Sequence, residues 1–78
     1  MASLKELVEF IARSLVDDPS QVQVSEIEGE NSVILELRVG PEDVGRVIGR
    51  SGRTVNAIRT IVRIIAAKQG RRASLEVV

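Results

Sequence analysis

Apolar and polar residues alternate along this chain with two different periods, and the changes of period mark its elements. Between residues 3 and 16, Leu4, Leu7, Val8, Ile11, Ala12 and Leu15 recur at helical spacing, while Lys5, Glu6, Glu9 and Arg13 take the other face. Phe10 falls on the flank. Ser3, followed three residues later by Glu6, fits a helix-opening capping box. Asp17-Asp18-Pro19-Ser20 ends the segment, because a residue before proline is pushed out of the α region.

The period then drops to two. In residues 21–28, Val22 and Val24 alternate with Gln21, Gln23 and Ser25, and Ile27 breaks the phase, which suggests a bulge or a twist. Gly29-Glu30-Asn31 reads as a turn. Residues 32–39 alternate cleanly, with Val33, Leu35, Leu37 and Val39 inward and Glu36 and Arg38 outward. The two runs predict an antiparallel hairpin with one wet face.

Helical spacing returns at Gly40-Pro41-Glu42-Asp43. Proline suits a first helical position and the two acids suit the positive end of the helix dipole. This helix is short, with Val44, Val47 and Ile48 inward and Gly49 ending it in a left-handed conformation. Gly45 suggests close packing or close approach of a ligand. After Gly52, residues 53–68 predict a long helix. At about 100° per residue its apolar side chains span an arc of about 200°, wider than one sheet requires. Ile61 and Ile64 lie toward one edge of that arc, where either the first helix or a second protein can cover them. Asn56, Arg59, Thr60 and Arg63 share the opposite face. Gly70 ends the helix, and Ala73 to Val78 form a last strand with Leu75 and Val77 on one side. The expected order is α-β-β-α-α-β, an α+β fold whose helices pack on one face of a three-stranded sheet.

Composition sharpens this frame. A chain of 78 residues has room for one domain, and with Phe10 its single aromatic the core must be aliphatic. Cys and His are absent, which removes disulfides, thiol nucleophiles, imidazole catalysis and the usual zinc sites. No metal or cofactor is expected. No apolar run approaches the roughly 20 residues that span a bilayer, and the N-terminus lacks the marks of a targeting peptide, so the cytosol is the expected location.

Net charge is zero, but it is unevenly spread. Residues 1–45 carry ten acids and three bases, whereas residues 46–72 carry eight bases and no acid. Such a segment is either a solvated helix face or a surface for a polyanion.

The basic segment begins around Val47-Ile48-Gly49-Arg50-Ser51-Gly52-Arg53-Thr54. Read physically, Gly49 to Gly52 is a tight turn between two helices. The free N–H groups of the following helix point toward it, Arg50 and Arg53 add charge, and Ser51 and Thr54 add hydroxyls. This arrangement suits a phosphate backbone. An ordinary helix–turn–helix corner would also require glycines for its dihedrals. Catalysis finds no support: Glu42 and Asp43 are the only adjacent carboxylates near the turn, and the glycine spacing is neither a P-loop nor G-x-G-x-x-G.

Val47-Ile48-Gly49-Arg50-Ser51-Gly52 resembles the V-I-G-x-x-G signature of KH domains, and a helix before the first strands resembles their type II, prokaryotic arrangement. In length and order the whole chain, residues 1–78, resembles the small bacterial single-KH proteins of the KhpA family. The resemblance implies binding of single-stranded RNA, with Gly49, Arg50, Ser51 and Gly52 on the sugar–phosphate backbone. It implies that Ile48 and Val55 form an apolar floor, with Arg53 at the groove edge; Arg46, just before the loop, is a further candidate. It also implies post-transcriptional regulation or RNA chaperoning, and pairing with a second copy or with a larger KH-containing RNA-binding protein, for which Ile61 and Ile64 are the candidate contacts. Two other readings stay open: a module whose main work is protein pairing, and a DNA-binding helix-turn-helix domain.

Overall fold

The computed structural model describes residues 3–78. The first helix, α1, is Leu4–Leu15. Its cap is Ser3, whose hydroxyl accepts the Glu6 N–H at 3.1 Å. Leu4, Val8 and Ala12 are buried and define its inner face. Leu15, expected on that face, is exposed; the helix ends there and Val16 turns in instead.

Asp18 shapes the descent into the sheet. Its carboxylate accepts the Ser20 N–H at 3.2 Å and the Gln21 side-chain amide at 2.7 Å, closing a 3-10 turn over Pro19–Gln21. The Gln21 amide first and the Ser20 hydroxyl second, with the Ser20 N–H adding less, hold the Asp18 carboxyl below the ordinary value for aspartate.

Strand β1 is Gln23–Glu28 and β2 is Ser32–Arg38. They pair antiparallel without interruption from Gln23–Arg38 to Glu28–Val33. The phase break at Ile27 is therefore not a bulge. Ile27 pairs with Ile34, and both stay exposed on the sheet face turned away from the core.

Pro41–Asp43 forms a single 3-10 turn before a five-residue helix, α2, Val44–Ile48. Asp43 stands at the start of this helix, where an acid suits the dipole, but its side chain is committed to another task. It makes no side-chain cap there. Asp43 is only 4% exposed, and its carboxylate reaches back across the chain to the end of α1. Asp43 Oδ1 accepts the Asp17 N–H and Oδ2 the Asp18 N–H, each at 3.1 Å. Two backbone donors left over at the end of a helix thus find their acceptor about 25 residues away in the chain.

Helix α3 is Arg53–Lys68 and strand β3 is Arg72–Val77. The strand order is β1-β2-β3, with β3 parallel to the central strand β2 from Ser32–Arg72 to Leu37–Val77. Parallel neighbours need a crossover, which α2 and α3 supply. Leu4, Val8 and Ala12 of α1 join Val55, Ile58, Val62 and Ala66 of α3 in one core over Val24, Val33, Leu35, Leu37 and Leu75. The helices therefore cover one face, as expected, and leave the other to solvent. No described helix is long and apolar enough to cross a membrane.

Candidate nucleic-acid interface

The turn between α2 and α3 is set by its backbone. Gly49 takes φ 76° and ψ 172°, Ser51 φ 56° and ψ 27°, and Gly52 φ 77° and ψ 11°. Ser51 is the one non-glycine residue with positive φ among the described residues. Residues in such sparsely populated regions concentrate at ligand clamps. The Gly52 N–H closes the turn on Gly49 C=O at 3.1 Å.

The two glycines differ in what they require. A Cβ on Gly49 would strike the Thr54 hydroxyl and come within 2.9 Å of the Thr54 backbone nitrogen. Gly49 is thus needed for the turn to fold against the first residues of α3, and Thr54 is half-buried beneath it. A Cβ on Gly52 would meet only the Asn56 side-chain amide at 3.5 Å, an ordinary contact. Gly45 has open space where a Cβ would be, so among the described residues nothing packs closely on it.

Helix α3 begins without a side-chain cap. Arg53, its first residue, donates its N–H to Arg50 C=O, so what the turn offers an anion is the positive end of the helix with no competing side-chain cap. Arg50, Ser51 and Arg53 are exposed around that position. Ile48 is half-buried and packs on the core edge with Val44. Val55 is only 3% exposed, so it supports this apolar surface from beneath rather than forming it.

Arg46 is placed elsewhere. Its Nη2 lies 2.8 Å from Asp17 Oδ2 and its Nε 3.3 Å from Asp43 Oδ1. The charge expected next to the loop is neutralised by two carboxylates, one of them buried. Arg71 is likewise paired, with Glu28 at 3.6 Å. The other six bases of residues 46–72 have no carboxylate within ion-pair distance among the described residues.

The strand that meets the polar face of α3 is β3. Arg59 Nε donates to Leu75 C=O at 3.0 Å, and Arg59 Nη1 donates to Asn56 Oδ1 at 3.0 Å. Gly52, Asn56, Arg59 and Leu75 thus form a continuous line from the turn to the free edge of the sheet. The spacing of Asn56, Arg59 and Arg63 put them on one helix face, but nothing in the sequence pointed that face at β3. Ile61 and Ile64 lie on the other flank of α3 and are 45% and 55% exposed. Helix α1 does not cover them.

Comparison with known proteins decides what this arrangement is related to. The family profile described as KhpA/KhpB, KH domain matches residues 5–77. The chain belongs to the KhpA/KhpB KH-domain family. The RNA-binding protein KhpA of Clostridium acetobutylicum is 53% identical over 75 residues, covering 96% of this chain and 100% of the relative. That of Aquifex aeolicus is 49% identical over 77 residues, covering 99% and 98%. Among solved structures, a crystal structure of Era from Aquifex aeolicus superposes with a TM-score of 0.64 at 23% identity, over 95% of this chain and 29% of that one. At that identity the likeness is one of fold. The KH element order, the three-stranded sheet and the resemblance first carried by Val47–Gly52 agree with membership of the family.

Proposed function

We propose that residues 1–78 act as one KH domain that holds single-stranded RNA, with the sugar–phosphate backbone on Gly49–Gly52. The observation that carries this reading is the exposed start of α3, without a side-chain cap, behind a glycine turn and flanked by Arg50 and Arg53, which have no carboxylate partners among the described residues. It is supported by relatives named as RNA-binding proteins and by a solved Era complex with nucleotides 1506–1542 of 16S ribosomal RNA.

Bases leave the turn over Ile48 and Val44, above Val55, and lie between α3 and β3. Arg50, Ser51 and Arg53 contact phosphates. Arg46 holds α2 to the end of α1 through Asp17 and Asp43, and any contact it makes with RNA requires it to leave those acids. The protein works by binding, without catalysis, in the cytoplasm, as a post-transcriptional regulator or RNA chaperone.

Fluorescence anisotropy with single-stranded RNA, duplex RNA and duplex DNA tests the reading. Single-stranded RNA binds best, and Arg50→Asp combined with Ser51→Asp abolishes binding while the fold persists. Preference for duplex DNA that survives the double change overturns it in favour of a helix-turn-helix.

A second observation supports pairing. The exposed Ile61 and Ile64 place apolar surface on the flank of α3 away from Arg59. This flank joins a second copy, or a larger KH-containing RNA-binding protein, and so doubles the RNA contact through effective concentration. Ile61→Asp converts a dimer to a monomer in sedimentation. A wild-type dimer left unchanged by that substitution puts the interface elsewhere.

A further inference from the structure

Arg59 is half-buried, yet among the described residues it has no carboxylate partner. Its charge is instead steadied by two neutral acceptors. Nε is fixed on Leu75 C=O and Nη1 on Asn56 Oδ1, both at 3.0 Å. A guanidinium carries five N–H donors in a rigid plane, and these two bonds use two of them. Nη2 has no partner in the chain among the described residues. The plane is therefore oriented in advance and keeps donors to offer. It stands one helical turn beyond Asn56, whose amide lies next to Gly52.

A nucleotide whose phosphate rests on the turn would bring its base toward this position. On the RNA-binding reading above, we propose that Arg59 is the base-reading residue of the groove, selecting a base edge with two adjacent hydrogen-bond acceptors. Guanine offers O6 and N7, and cytosine offers O2 and N3. Adenine sets its N6 amino donor beside N1 and beside N7, and on both of those edges it opposes a group that only donates. Asn56 is a positioning residue: it holds the guanidinium plane without touching the base. An arginine kept for charge alone would not need two neutral acceptors fixing its plane.

The experiment measures anisotropy of oligouridine octamers carrying a central GG, CC or AA pair against the wild type, Arg59→Lys and Asn56→Ala, each with its thermal melt. The wild type favours GG or CC over AA by about tenfold. Which of the two wins identifies the edge that is read. Arg59→Lys keeps the charge but loses the fork. It retains binding to plain oligouridine and loses the preference, whereas Asn56→Ala reduces the preference in part. A wild type that binds all octamers equally overturns the proposal, as does Arg59→Lys weakening all of them by one factor; Arg59 then only ties α3 to β3. Failure of every octamer to bind overturns the RNA reading as well, so the two failures are distinguishable.

Discussion

Gly49 lies against Thr54 so closely that a methyl group on Gly49 would sit 2.8 Å from Thr54 Cβ and 2.9 Å from its backbone nitrogen. The glycine that opens the loop is thus fixed by the fold, while Gly52, three residues on, is fixed mainly by its left-handed backbone. Gly49→Ala combines a clash with a conformation that only glycine adopts readily, and costs about 2–3 kcal/mol of stability. Gly52→Ala costs about 1 kcal/mol, the usual left-handed penalty. Urea denaturation of the two variants orders them this way.

Asp43 carries a different kind of stability. Asp43→Ala strands the Asp17 and Asp18 N–H groups at the end of α1 and releases Arg46. Loss of these charge-assisted bonds costs about 2–3 kcal/mol, read as a lower urea midpoint. Arg46→Ala costs less than ~1 kcal/mol, because its ion pairs are half exposed. It also weakens RNA binding less than Arg50→Ala does.

This contrast shows what the chain declares and what it withholds. The faces of α1 and α3, the hairpin and the positive φ at Gly49 follow from spacing and residue type, which are local. Ile27 misled because its neighbours are polar: an apolar residue on the open face of a small sheet looks like a phase break. Arg46 misled, and the second task of Asp43 stayed hidden, because their partners lie far away in sequence: a charge beside a loop looks free until the end of α1 is placed beside it. Leu75 is invisible as a site residue for the same reason, since its contribution is a backbone carbonyl at a sheet edge.

Salt dependence separates the phosphate contacts from the rest. Removing Arg50 or Arg53 lowers the slope of log affinity against log salt by about 0.7 each, as expected for a single strand. Arg46→Ala leaves the slope unchanged. Anisotropy titrations between low and moderate salt give these slopes.

Asp18 gives stability a pH dependence at the acid end. Its carboxyl titrates below its ordinary value because Gln21 and Ser20 bond its ionised form. A depressed folded pKa contributes stability that is present above the unfolded value, near pH 4, and is lost as pH falls through the lower folded value. Asp18→Asn therefore lowers the melting temperature at pH 7 and flattens its fall below about pH 4. Thermal melts across that range measure it.

The central claim is that RNA lies on the Gly49–Gly52 turn and runs between α3 and β3. Titrating single-stranded RNA into isotope-labelled protein and following backbone amide shifts tests it most directly. The account predicts that the largest changes fall at Gly49 to Arg53, continue through Asn56 and Arg59, and reach β3 near Leu75. Changes centred on α1 or on the open sheet face around Ile27 and Ile34, with the turn unperturbed, would contradict it.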